Sequence, residues 1–288
     1  MISAKTKVCA VIGDPVAHSL SPQLHNAAFR AEGMDMVYVA FRVRRQDLAA
    51  AVHGVRAFGI RGLSVTIPHK VDIIPLLDHV EPAAAFVGSV NTVVNENGEL
   101  TGHSTDGPGA LRALRAAGVD PAGKAILLLG SGGAARAIAF ALAGLEPPPR
   151  IRILGIVPEE LRSLENDLRE RTAASVASAT LEPSRLVAAV EEAQIIVHAT
   201  PVGMTPRTAE SLVPPELLSS RHVVFDAVYT PLETQLLKDA RAAGAKVVPG
   251  LGMFVHQAAI QFELWTGTPA PVEVMERTVR EILEESSQ

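Results

Sequence analysis

The sequence predicts an α/β fold of two successive units with parallel sheets, and three observations carry that expectation. Short apolar runs alternate with segments of helical period along the whole chain. The alternation pauses at a Pro/Gly-rich stretch, "GVDPAGK" (118–124), and then restarts. Directly after the restart, an apolar run enters a glycine-rich turn and an alanine-rich helical segment. The 288 residues suffice for two domains, at ~100–200 residues each.

The elements follow in order. "KVCAVIG" (7–13), "VYVAFRV" (37–43) and "GLSVTI" (62–67) read as strands, being apolar, rich in β-branched residues and too short for helices. Between them, "PQLHNAAFRAEG" and "DLAAAVHGVRAFG" have helical spacing and end at Gly33 and Gly59, the residue type that caps a helix C-terminus. Asn97-Gly98, inside "VNTVVNENGELTG", is a two-residue turn signal and predicts a β-hairpin. "DGPGALRALRAAGVDPAGK" supplies a helix and then the link to the second unit. There, "KAILLLG", "RIRILGI", "EEAQIIVHAT", "RHVVFDAVY" and "AKVVPG" are strands separated by helices, as in a parallel sheet covered on both faces. "GMFVHQAAIQFELWTG" and "PVEVMERTVREILEESS" are the last helices.

Composition narrows the function. Apolar residues make up 48% of the chain, enough for one or two sizeable cores. The net charge of −5, without any Lys/Arg-rich block, argues against nucleic acid as the main partner. Cys9 is the single cysteine, so no disulfide or cysteine-based metal cluster forms within the chain. No apolar run approaches ~18 residues, and "MISAKTKVCAVIGDP" lacks the profile of a cleaved signal. The expectation is a soluble, cytoplasmic protein with no membrane partner.

The glycine-rich turn, "LLLGSGGAARAIAFAL", holds Gly130, Gly132 and Gly133, with Ala135 where a further spaced glycine would stand. It reads either as a pyrophosphate cradle at a helix N-terminus or as a connection without a ligand. An acid at the end of the next strand would mark NAD, and a base would mark NADP. Gly155, Ile156 and Val157 occupy that place, so the cofactor stays open; Arg136 and Arg152 are the nearest cations.

In the first unit, "HSLSPQLHN" (18–26) reads as a helix start, with Ser21 as N-cap and Pro22 at the first helical position. A pocket for an anion is the second reading. A metal site is disfavoured, because His18 and His25 span a helix start with no third ligand nearby. "GLSVTIPHK" puts Ser64, Thr66 and Lys70 at or beyond a strand end, while Asn91 and Asp106 lie at hairpin ends. Hydroxyls, an amide, a lysine and a carboxylate together suit a polyhydroxylated, anionic small molecule.

These motifs, in this order, resemble the shikimate dehydrogenase family: "GDPVAHSLSPQLHN", "GLSVTIPHK", "GSVNTVV", "STDG", "GSGGAARA", "ATPVGM", "DAVYTPLETQLL" and "GLGMFVHQAAIQFELWTG". The resemblance runs nearly end to end. It implies an N-terminal α/β substrate domain (1–106, completed by helices in 254–288) and a Rossmann-type dinucleotide-binding domain (107–253). The implied reaction is reversible, NAD(P)H-dependent reduction of 3-dehydroshikimate to shikimate. By that resemblance Ser19 and Ser21 hold the substrate carboxylate, and Ser64, Thr66, Lys70, Asn91, Asp106 and Gln257 meet the ring hydroxyls. Lys70 and Asp106 are similar to the family's catalytic pair. Gly130, Ser131, Gly132, Gly133, Ala134, Arg136, Thr200, Val228, Gly250 and Met253 match its cofactor-facing positions. Tyr229 reads equally as a residue closing over the substrate or as core, and Met253 equally as a nicotinamide neighbour or as core. His256 is assigned no role.

Reduction of a ring ketone needs a hydride on carbon and a proton on oxygen. The nicotinamide supplies the first. Lys70 is the natural donor of the second, with Asp106 orienting it. Four departures from the family pattern stand out: Ser64 and Ser104 replace asparagines, although plant members also use serine at the first position. His198 replaces another asparagine. The Asn-Arg-Thr clamp on the NADP 2′-phosphate is Gly155-Ile156-Val157 here. Losing a charge-assisted contact of ~1.5–3 kcal/mol predicts weak discrimination between NADP and NAD. Two alternatives stay open: a quinate or related cyclitol-acid dehydrogenase using NAD, and a non-catalytic ligand-binding homologue. Quinate users commonly carry threonine at the position of Ser21, so serine favours shikimate; the presence of both Lys70 and Asp106 argues for turnover. A monomer or homodimer is expected.

Overall fold

The computed structural model describes residues 2–285. The chain folds as two compact units, the first comprising residues 2–105 with Gln257–Ile282 and the second Asp106–His256 with residues 283–285.

The first unit contains β1 (Lys7–Gly13), α1 (Ser21–Ala31), β2 (Met36–Arg42), α2 (Leu48–Ala57), β3 (Gly62–Val65), β4 (His79–Val80), α3 (Pro82–Val87), β5 (Thr92–Glu96) and β6 (Glu99–His103). Its sheet has the order β2-β1-β3-β5-β6-β4. β1 pairs parallel with β2 and β3, whereas β5 pairs antiparallel with both β3 and β6. The sheet is therefore mixed, its antiparallel pairs coming from the hairpin the sequence predicts. The physical reason is the Asn97-Gly98 turn: with φ of 56° and 96° it makes a tight hairpin, and a hairpin must contribute antiparallel strands. Ala10, Ile12, Leu63, Val65, Val93 and Leu100 bury one face of the sheet with Val52 and Val55 of α2.

The second unit contains α4 (Asp106–Ala116), β7 (Ala125–Leu129), α5 (Gly133–Ala143), β8 (Arg150–Gly155), α6 (Pro158–Arg171), β9 (Ser175–Thr180), α7 (Pro183–Glu192), β10 (Ile195–His198), β11 (Val223–Asp226), α8 (Gln235–Ala242) and β12 (Lys246–Val248). Then follow α9 (Gly250–Thr266) and α10 (Val272–Glu285); α9 passes from the second unit into the first at Gln257. The sheet order β12-β11-β10-β7-β8-β9, parallel throughout, is that of a doubly wound dinucleotide fold. β9, missed in the sequence, is an edge strand of small polar and apolar residues, "SVASAT", without the apolar run that marks its neighbours.

On the other side of the first sheet, His25 is fully buried, stacked on Tyr38 at 4.5 Å and lying 5.1 Å from the Trp265 ring. Burial pushes its pKa down from 6.5 to about 3. The folded chain thus declines a proton that the unfolded chain accepts below its ordinary pKa. The neutral ring's contribution is intact above pH 6.5 and declines as the pH falls toward 3, by up to about 1.4 kcal/mol per pH unit. His25→Phe is expected to flatten the stability-versus-pH slope between about pH 6 and 4 by roughly one proton. Urea titrations across that range measure it, and an unchanged slope would contradict the burial argument.

Candidate active site

The sequence-predicted residues divide between the two units, Asp106 being the first residue of the second. In the first, α1 begins one residue away from the expected cap. Leu20 is the N-cap, Ser21 is the first helical residue, and Pro22 follows within the first turn. The Ser19 hydroxyl accepts the Ser21 N–H at 3.3 Å, so the cap register shifts from Ser21 to its neighbours. Ser21 is thereby released from capping. Its side chain is buried on the same side of α1 as Leu24 and His25. Tyr38, on β2, also turns its phenol inward.

That phenol begins a directional chain of buried hydrogen bonds. Gln261 donates its amide to Thr92 Oγ1 at 2.9 Å and to the Asn91 carbonyl at 3.3 Å, which turns its Oε1 toward Ser64. Ser64 donates its only proton to that oxygen at 2.8 Å and accepts from Tyr38 at 2.6 Å. Desolvation drives the Tyr38 pKa far up, so the phenol remains a donor. Ser64 can offer any further partner only lone-pair density. Ser64 is thus a committed acceptor, where an asparagine amide would both donate and accept.

Asn91 is fixed beside this chain. Its Oδ1 accepts the Thr105 N–H at 2.8 Å and its Nδ2 donates to Thr105 Oγ1 at 2.9 Å, which anchors the backbone just before Asp106. Lys70 lies in the turn after β3, where its carbonyl accepts the Val90 N–H at 2.8 Å. His69 is fully buried and donates Nε2–H to the Val43 carbonyl at 2.7 Å, pinning that turn. Thr66 is half-buried beside Gly13, whose added Cβ would lie 2.5 Å from the Thr66 methyl. Gln257, half-buried on α9, is one turn before Gln261, which is one turn before Trp265, so the three share a helical stripe. Sequence reading passed over Tyr38 and Gln261; the four-residue spacing from Gln257 was the available signal. His18 is exposed and His25 lies among rings, and no group of three or more metal-ligating side chains gathers among the described residues. Cys9 is buried, which pushes its thiol up to about 12 and leaves it inert.

In the second unit, β7 delivers the glycine turn to the point where strand order reverses, between β7 and β10. Gly130 has φ +117°, and an added Cβ would stand 2.7 Å from the Ala199 carbonyl and 3.2 Å from the Thr200 methyl. Gly132 caps α5 in extended geometry with open space where a Cβ would point. The first α5 amides, those of Gly133, Ala134 and Ala135, precede any intrahelical partner. Backbone donors, a positive helix end and room above Gly132 fit a dinucleotide pyrophosphate. Gly250 begins α9 against the Val228 carbonyl, 2.4 Å from where a Cβ would stand, so only glycine fits there. Met253 is buried, and the half-buried Tyr229 stacks on Phe254 at 4.3 Å, its phenol pushed up to about 12 by desolvation. His198 is buried and held at both ring nitrogens, by Asp226 at 2.8 Å and by Thr200 at 2.5 Å. Asp226 also accepts from Thr234 and the Val228 N–H, a network that the His198 ring joins.

Comparison with known proteins decides the family. Residues 11–93 match the model of the shikimate dehydrogenase substrate binding domain, and residues 250–280 match the shikimate 5'-dehydrogenase C-terminal domain. A shikimate dehydrogenase (NADP(+)) of Moorella thermoacetica is 46% identical, over 99% of this chain and 97% of its own length. The chain belongs to the shikimate dehydrogenase family. A shikimate dehydrogenase crystallised with NADP+ superposes with a TM-score of 0.92 at 40% identity, over 98% of each chain. The Listeria monocytogenes shikimate 5-dehydrogenase, in complex with shikimate and NAD, gives 0.90 at 38% identity, over 96% of this chain and 98% of its own. Membership in the shikimate dehydrogenase family accounts for both sets of residues, polar hydroxyls in one unit and a glycine turn in the other. No helix among the described residues is long and apolar enough to cross a membrane.

Proposed function

We propose that the chain catalyses the reversible interconversion of 3-dehydroshikimate and shikimate with a nicotinamide dinucleotide, the reaction for which its curated relatives, named with NADP(+), are known. The observation that carries this reading is the buried hydrogen-bond chain Gln261–Ser64–Tyr38 beside Asn91, in a member of this family. It presents the hydroxyl and amide groups that a carboxylated, polyhydroxylated ring requires.

The roles follow from the chemistry of the groups. Ser19 and Ser21, at the positive end of α1, take the carboxylate. Ser64 accepts a hydrogen bond from a ring hydroxyl, and Thr66, Asn91 and Gln257 bind the others. Lys70 gives its proton to the carbonyl oxygen as charge develops there, and Asp106 orients the ammonium and binds the neighbouring hydroxyl. The nicotinamide, when bound, supplies or accepts the hydride. The 130–133 turn with Ala134, Thr200, Val228, Gly250 and Met253 holds the dinucleotide, whereas Arg136, expected there from the sequence, pairs with Asp167. Tyr229, protonated at neutral pH, covers the reacting ring. The protein works as a monomer or homodimer in the cytoplasm. Shikimate and quinate, each with NADP+ and NAD+, followed at the nicotinamide absorbance, test the proposal. Turnover of shikimate is expected, and its absence with both nucleotides would refute the reading.

A further inference from the structure

We propose that Glu160 sets nucleotide preference in this chain, its carboxylate favouring the ribose 2′-hydroxyl of NAD(H) over the 2′-phosphate of NADP(H). The inference rests on the reading that the 130–133 turn holds a dinucleotide. In a sheet of this strand order the adenosine ribose is read at the C-terminal ends of the first two strands, here β7 and β8. Three side-chain positions meet in that crevice. Ser131 projects from the turn after β7, and its hydroxyl donates to Glu160 Oε2 at 2.8 Å. Gly155 ends β8, where an added Cβ would stand 3.2 Å from the same hydroxyl. Glu160 reaches them from the first turn of α6.

An acid early in α6 has a plain structural explanation, since it complements the helix N-terminus. Glu159 fits that explanation, pairing along the helix with Arg162 at 3.1 Å. Glu160 differs, because it crosses to the glycine turn. The residues that follow β8 bring no counter-charge: Ile156 and Val157 are exposed and apolar. Arg136 is turned to Asp167 at 2.5 Å and lies over the Phe140 ring, while Arg152 pairs with Glu192. A carboxylate accepts from a ribose 2′-hydroxyl and repels a phosphate monoester of charge about −2. The acid absent from residues 155–157 is thus supplied from the helix.

Calorimetric binding of NAD+ and NADP+ to the full chain, to Glu160→Gln and to Glu160→Arg tests this without reference to turnover. The wild type is expected to bind NAD+ at least as tightly as NADP+. Glu160→Gln should move the ratio toward NADP+ by about tenfold, and Glu160→Arg further. Adenosine 2′-monophosphate should compete better against both variants than against the wild type. A tenfold or greater wild-type preference for NADP+, or a ratio that neither substitution moves, would overturn the proposal. Absence of binding by either dinucleotide would overturn it together with the reading of the turn. Failure of shikimate turnover alongside the expected binding ratios would remove the proposed reaction and leave Glu160's role standing.

Discussion

Lys70→Met is expected to lower kcat for shikimate oxidation by about two to four orders of magnitude while dinucleotide affinity stays unchanged. Removing a positioned proton donor has effects of that size, roughly 3–5 kcal/mol on the barrier. The position suits the test because the turn has anchors of its own besides the ammonium. The Lys70 carbonyl accepts from Val90, the His69 amide donates to Thr66, and the His69 ring donates to Val43. Backbone and a neighbouring side chain make all three bonds, and methionine keeps the length of the alkyl stem. A melting curve close to wild type should accompany the loss of turnover. Shikimate binding should weaken less than turnover falls, because the hydroxyl chain through Ser64 and Tyr38 remains. Near-normal turnover in the folded variant would remove Lys70 from the chemistry.

What the sequence discloses about this fold follows the range of each interaction. The Asn97-Gly98 hairpin was legible because its positive φ angles are a local property of two residues. The strands of the second sheet were legible because burial on both faces leaves near-continuous apolar runs, which β9 at the edge lacks. The antiparallel pairing of β5 with β3 was not legible, since nothing local states which strand a hairpin will join. The helix cap was misplaced because two serines in "SLS" compete for one role, and the structure gives Ser19 the Ser21 N–H. Within the site, the motif residues were named, but the groups that set their polarity were not. Ser64 depends on Gln261, 197 positions away in the chain, and no periodicity connects the two. Glu160 escaped for a related reason. The charge was sought on residues 155–157, directly after the strand, and it arrives from the following helix.

Gly62→Ala is expected to destabilise the first unit by about 2–4 kcal/mol and to raise the KM for shikimate. An alanine methyl at this position would fall 2.1 Å from Trp265 Nε1 and 2.3 Å from Cδ1. The indole cannot yield easily: it is buried, rigid, packed near His25 and Tyr38, and donates to the Val93 carbonyl at 3.0 Å. Gly62 has no positive φ, so the substitution carries no backbone strain. In a strand it would by itself gain about 0.5–1 kcal/mol. Against that stand overpacking, about 1–3 kcal/mol, and a buried carbonyl stripped of its donor, another 1–3. The steric terms win. Function is affected through α9, because Trp265 lies one turn from Gln261, whose Oε1 holds the Ser64 proton. A displaced indole moves that amide and loosens the hydroxyl chain to Tyr38. Trp265 is the only tryptophan in the sequence, so its emission reports directly on this contact. Urea unfolding followed by tryptophan fluorescence should show a lower midpoint and an altered native spectrum, with KM rising more than kcat falls. A wild-type midpoint and spectrum would mean that the strand accommodates the methyl without moving the indole.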